Sequence, residues 1–107
     1  MKSYEYIDHT ADIGMRAYGM SLSELIQHAG EGFINLIVDR ENINESLEKH
    51  ITIGRCSLED LIVNWLSELN YLFEIDSLIF NRFLVDINPG NSLDARCFGE
   101  KYDPARH

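Results

Sequence analysis

Residues 79–99 read IFNRFLVDINPGNSLDARCFG, and the fold turns on how this stretch is parsed. Its two arms, IFNRFLVDI and SLDARCFG, alternate in polarity as extended chain does. Between them Asn88-Pro89-Gly90-Asn91 supplies the turn chemistry: proline presets φ, and glycine and asparagine tolerate left-handed backbone. The stretch therefore reads as a β-hairpin. In the second arm Leu93, Ala95 and Cys97 share one face while Asp94 and Arg96 share the other, the period-two signature of a strand with one buried side.

Working outward toward the N-terminus, Ser57 and Asp60 form a helix-start signature. After it Leu58, Leu61, Ile62, Trp65, Leu66, Leu69, Leu72 and Phe73 recur as a broad apolar stripe that one core must bury. HITIG before it predicts a short strand with Ile51 and Ile53 inward. Residues 40–48, RENINESLE, are polar and without period, and read as an exposed loop. Upstream, Ser21 with Glu24 reads as a capping box opening a first helix that carries Leu22, Leu25, Ile26, Ala29, Phe33, Ile34 and Ile37 and ends near Asp39. IGMRAY before it alternates as a strand, and Tyr4 to Ile7 adds a short one. Two helices and several one-sided strands predict an α+β fold, with both helices packed on one face of a mostly antiparallel or mixed sheet.

At 107 residues the chain has the size of one domain, read here as residues 1–107. With 45% hydrophobic and 25% charged residues it is a folding composition, not a disordered one. Neither a membrane span nor a secretory signal is apparent, so a cytoplasmic location is expected. Cys56 and Cys97 are far apart and lack metal or redox spacing, so free and mostly buried thiols are expected. The formal net charge of −9 and the scattered Lys and Arg residues argue against direct, tight nucleic-acid binding, and instead suit a cation or a basic protein. Solubility alone would also account for the charge.

Phosphate-loop, zinc-helix, EF-hand and nucleophile-elbow patterns are absent, and Gly30 and Gly32 fall inside a helical pattern where close packing explains them. What remains is Asp8, His9 and Asp12 in YIDHTADIG, with Glu100 and Asp103 as a second acidic group. The first group could be a metal site, an acid/base site or a capped turn. Residues four apart lie roughly 13 Å apart in a straight strand, so one ion reaches both aspartates only if the segment bends, which Thr10 and Ala11 permit. Carboxylates without thiolates favour a hard cation, and calcium needs about six or more oxygens.

The run YEYIDHTADIGMRAYG, the following SLSELIQHAGEGF and the late GEKYDPARH together resemble the archease family over the whole chain. The resemblance implies an accessory protein and not an enzyme: an activator of an RtcB-type RNA ligase in tRNA splicing and RNA repair. It would promote guanylylation of the ligase's active-site histidine and multiple turnover. It also implies that GTP and manganese belong to the ligase, and that calcium is the family's own ion. Carried onto this sequence, the second aspartate of the DHTAD motif falls on Asp12, which becomes the expected metal ligand. Asp8 and His9 then shape the turn, and Asp8, Glu100 and Asp103 are the further metal candidates. The family's remaining ligands lie in a C-terminal strand segment that this sequence does not contain.

Two other classes compete. A small metal-dependent phosphoester hydrolase would use Asp12 for the ion and His9 as acid or base. A general chaperone or interaction module would need neither. Finally, the polar tail after Gly99 has no closing element, which predicts an unpaired sheet edge after the last strand and, through that edge, a homo-oligomer.

Overall fold

A computed structural model describes residues 4–8 and 13–17 by their backbone and residues 21–107 in full. The order is β1 (Tyr4–Asp8), β2 (Ile13–Ala17), α1 (Leu22–Ile37), β3 (Leu47–Ile53), α2 (Leu58–Asp76), β4 (Leu78–Asn88) and β5 (Ser92–Lys101), with a 3-10 turn at Arg40–Asn42. β1 and β2 pair antiparallel, and a second sheet has the order β3-β5-β4, also antiparallel. The expected α+β class holds. The strands, however, form two ladders among the described residues.

Both helices start where polar side chains satisfy free amides. The Ser21 hydroxyl accepts from Glu24 N at 3.2 Å, and that of Ser57 accepts from Asp60 N at 3.1 Å. The first helix stops at Ile37, two residues before the expected end, because Val38 is extended and Asp39 instead caps the 3-10 turn. The second runs to Asp76. Ser77 then takes left-handed backbone (φ 56°), and its N–H caps the Leu72 and Phe73 carbonyls.

The core lies between the helices and the inward face of β3-β5-β4. Ile26, Ile34, Leu61, Trp65 and Leu69 are wholly buried against Phe80, Phe83, Leu93 and Cys97. Each such side chain contributes about 1.5–3 kcal/mol by leaving water. Trp65 meets Phe83 edge-on, ring centres 5.4 Å apart. Gly30 lets them approach α1: a Cβ there would lie 3.1 Å from Phe83 and 3.2 Å from Trp65. The packing reading of Gly30 is thereby met.

The hairpin forms as read, with Leu93, Ala95 and Cys97 inward. Asn88 pairs with Ser92 across Pro89-Gly90-Asn91, where Gly90 and Asn91 are left-handed (φ 82° and 57°). The turn is anchored to the start of α2, since Cys56 N donates to Gly90 O at 3.2 Å and Asn91 Nδ2 donates to Cys56 O at 3.3 Å.

Three expectations need correction. Residues 40–48 are not all loop: β3 begins at Leu47, its polar early residues pairing with β5 across Leu47↔Gly99 and Glu48↔Phe98. Leu58 is not core, because at the first turn of α2 it stands 46% exposed. The last strand is not an edge either. β5 is central, and β3 and β4 flank it among the described residues. Lys49, paired with Cys97 on the inward side of β3 yet exposed, places a charge where another strand would add, which discourages edge pairing.

Candidate functional site

The described parts of the two motif regions lie on different strands, the first on β1 and β2 and the second from the end of β5 onward. In the first, Asp8 closes β1 directly opposite Ile13, which opens β2. β1 and β2 thus run antiparallel with Asp8 and Ile13 in register. α1 lies in contact with both strands of this hairpin and with β4. His9 and Asp12, the latter the expected metal ligand, lie outside the described residues. Asp8 is described by its backbone.

The second region, GEKYDPARH, is a closed polar network. Gly99 faces a bulge in β4, where Asn81 is the extra residue between Phe80 and Arg82. The strands approach so closely there that a Cβ on Gly99 would lie 1.9 Å from Ile79 O. Next to it Glu100, its side chain 13% exposed, becomes a hub. Its Oε2 accepts from Asn44 N at 2.6 Å and from the Arg106 guanidinium, and lies 3.1 Å from His107 Nε2. His107 Nδ1 accepts from Asp103 N at 3.0 Å, which leaves Nε2 to carry the proton and donate to Glu100. The imidazole stacks on Tyr102 at 5.7 Å and is fully buried. Asp103 Oδ1 accepts from Ala105 N at 3.0 Å and Arg106 Nη1 donates to Asn42 O at 3.3 Å, closing the turn onto the loop after α1.

This arrangement bears on Glu100 and Asp103 as metal candidates. Glu100 already receives a guanidinium, an imidazole N–H and an amide, a donor-rich surrounding that suits a held carboxylate and disfavours an added cation. Among the described residues no group of three or more His, Cys, Asp or Glu side chains is arranged to hold a metal.

Sequence reasoning missed the partners that the 40–46 loop supplies. Arg40 N donates to Asn35 Oδ1 at 2.9 Å, Asn81 Nδ2 donates to Ile43 O at 3.3 Å, and Ile43 is buried. Glu45 receives both Nε and Nη2 of Arg82, at 3.1 and 2.9 Å, and that hydrogen bonding holds its carboxyl below the usual range. The same guanidinium lies 4.0 Å over Phe98. Apart from the Asn35 contact, the hydrogen bonds that join residues 42–45 to β4, β5 and the tail span 37 to 64 positions, so no local pattern could have announced them.

A further feature lies on the outward face of the three-stranded sheet and its flank, where an open groove of about 560 Å³ is lined in part by His50, Thr52, Asp86, Asp94 and Arg96. Asp86 and Asp94 pair across the strands. Thr52 Oγ1 and Asn88 Nδ2 donate to Asp94 at 3.3 and 3.0 Å, offsetting the like-charge contact. The thiols are as expected: both are free and Cys97 is buried, which pushes its pKa up to about 12. No described helix is long and apolar enough to cross a membrane.

Comparison with known proteins gives one consistent result. The profile of the Archease protein family (MTH1598/TM1083) matches residues 4–107. Protein archease of Methanosarcina barkeri is 43% identical over 106 residues, covering 95% of this chain and 73% of that protein. That of Pyrococcus furiosus is 36% identical over 110 residues, covering 100% and 78%. The solution structure of Methanobacterium thermoautotrophicum protein 1598 superposes with a TM-score of 0.84 at 26% identity, covering 100% of this chain and 79% of that one. A match of this extent, spanning both DHTADIG and GEKYDPARH, places the chain in the archease family.

Proposed function

We propose that this chain is a non-enzymatic activator of an RtcB-type RNA ligase, acting in the cytoplasm in tRNA splicing and RNA repair. It promotes guanylylation of the ligase and allows repeated turnover, with GTP and manganese supplied at the ligase's own centre. The observation that carries this reading is the family match across residues 4–107, which spans both DHTADIG and GEKYDPARH.

Activation of this kind is differential binding. A partner that prefers the guanylylation-competent ligase over its resting form shifts the population by its affinity ratio and needs no catalytic group of its own. The net charge of −9 suits a basic, RNA-handling partner and disfavours competition for the RNA itself. Asp12 is the residue proposed to hold calcium, which would neutralise the loop between β1 and β2 where it meets the ligase. Glu100 is disfavoured for the remaining ligand places, because Arg106 and His107 already occupy it. Their part is structural: they fasten the end of β5 to the loop after α1.

The test is Asp12→Ala, measured for stimulation of multiple-turnover RNA ligation alongside thermal unfolding. The reading expects stimulation to be lost with the unfolding temperature unchanged. Full stimulation by the variant refutes the assignment of Asp12.

A further inference from the structure

α2 packs on α1, β3, β4 and β5 through Leu61, Trp65, Leu69 and Leu72. Its opposite face is not the polar surface that an amphipathic helix usually turns to water. Val63, Tyr71 and Ile75 are 60%, 54% and 63% exposed. Together with exposed Ser67 they occupy successive positions four apart, one continuous row on the helix. The row is about 18 Å long at the helical rise per residue.

The charges around this row are equally unusual. α2 contains Glu59, Asp60, Glu68, Glu74 and Asp76 and no Lys, Arg or His. Among the described residues none of the five has an ion-pair partner. Glu59 and Asp60 suit the positive end of the helix, but Glu74 and Asp76 sit at its negative end, where carboxylates are destabilising and a cation would be favoured. The chain therefore leaves an apolar ridge bare and places unpaired carboxylates beside it against the local field.

We propose that the outer face of α2 is a docking surface for a protein partner that presents an apolar groove rimmed by lysine and arginine. The ridge supplies spaced anchors for helix-in-groove recognition, with Tyr71 as the central aromatic. The rim supplies attraction that also relieves the Glu74 and Asp76 conflict. A second copy of this chain is disfavoured as occupant because it would set two all-acidic helices against each other, and nucleic acid or an anionic bilayer is disfavoured for the same reason. The surface deepens the activator reading and rests on it, the partner being the RNA ligase.

The experiment titrates the cognate RNA ligase with three forms of the full chain: unsubstituted, Tyr71→Ala/Ile75→Ala, and Glu74→Lys/Asp76→Lys. Stimulation of guanylylation and sedimentation of the chain by itself are read in parallel. The charge-reversed form puts cations at a helix C-terminus and so keeps its fold, which preserves the test should the anchor variant misfold. The proposal expects Kd to rise at least tenfold for the anchor variant. For the charge variant it expects a rise of several-fold and a weaker dependence of association on salt. If the unsubstituted chain binds and stimulates while both variants bind within twofold of it, this surface is overturned and the activator reading stands. If the unsubstituted chain neither binds nor stimulates, the activator reading fails and takes this surface with it. A dimer of the unsubstituted chain that the anchor variant abolishes would make the occupant a second copy, and overturn the proposal.

Discussion

Replacing Gly99 with alanine should be among the most damaging single-methyl changes available to this chain. The added Cβ would lie 1.9 Å from Ile79 O and 2.7 Å from Phe80 Cα, both backbone atoms. No rotamer can relieve the clash, and contact with Ile79 O falls roughly 1.5 Å short of ordinary van der Waals distance. β5 is central, so the strand cannot retreat from β4 without straining its pairing with β3. Overpacking of this sort costs about 1–3 kcal/mol, and each ladder hydrogen bond lost adds about 1 kcal/mol. A total of about 3–5 kcal/mol is a large share of the ~5–15 kcal/mol available to a domain. The midpoint of thermal unfolding should then fall by more than about 12 °C. Gly54→Ala is the matched control, since nothing lies within 4 Å of its added Cβ, and its stability should change by less than about 1 kcal/mol. Urea and thermal unfolding of both variants check this. A Gly99→Ala protein within 1 kcal/mol of the parent would refute the close-approach argument and the bulge geometry behind it.

Glu100→Gln should lower stability by about 1–3 kcal/mol by weakening the acceptor for Asn44 N, Arg106 and His107. It should also speed hydrogen exchange at the Asn44 amide; unchanged protection there would contradict the hub. At pH 8 a thiol reagent should label half-buried Cys56 in the native protein and reach Cys97 only on unfolding. Because burial raises the Cys97 pKa to about 12, the unfolded thiol ionises near pH 9 while the native one keeps its proton. Stability should therefore fall as pH rises from about 9 to 12, and Cys97→Ala should flatten that slope. Glu45, held low by its Arg82 hydrogen bonds, should titrate below an ordinary glutamate by NMR and move back up in Arg82→Met. Its stabilising contribution is present above the ordinary carboxyl pKa and lost as pH falls through the depressed value.

Much of the fold was legible because its determinants are local. Ser21 and Ser57 cap the helices they announce, the period-two face of Leu93, Ala95 and Cys97 is the buried face, and Gly90 and Asn91 take the left-handed turn their identities suggest. What was not legible depends on partners far away in sequence. The early residues of β3 are polar because they lie at an edge, and only their pairing with β5 makes them strand. The order β3-β5-β4, which puts the last strand in the middle, is a matter of topology that alternation within a strand cannot encode. For the candidate site, the motif letters around Gly99 and Glu100 were readable and their roles were not. The close approach at Gly99 needs a bulge in another strand, and the Glu100 network needs Asn42 and Asn44 from a loop that carries no pattern.

The most direct test of the central claim is single-turnover guanylylation of the cognate RNA ligase with GTP and Mn²⁺, in the presence and absence of this 107-residue chain. The account predicts clear acceleration by the chain, with no nucleotide turnover by the chain in the absence of ligase. A chain verified as folded that leaves the guanylylation rate unchanged would contradict it.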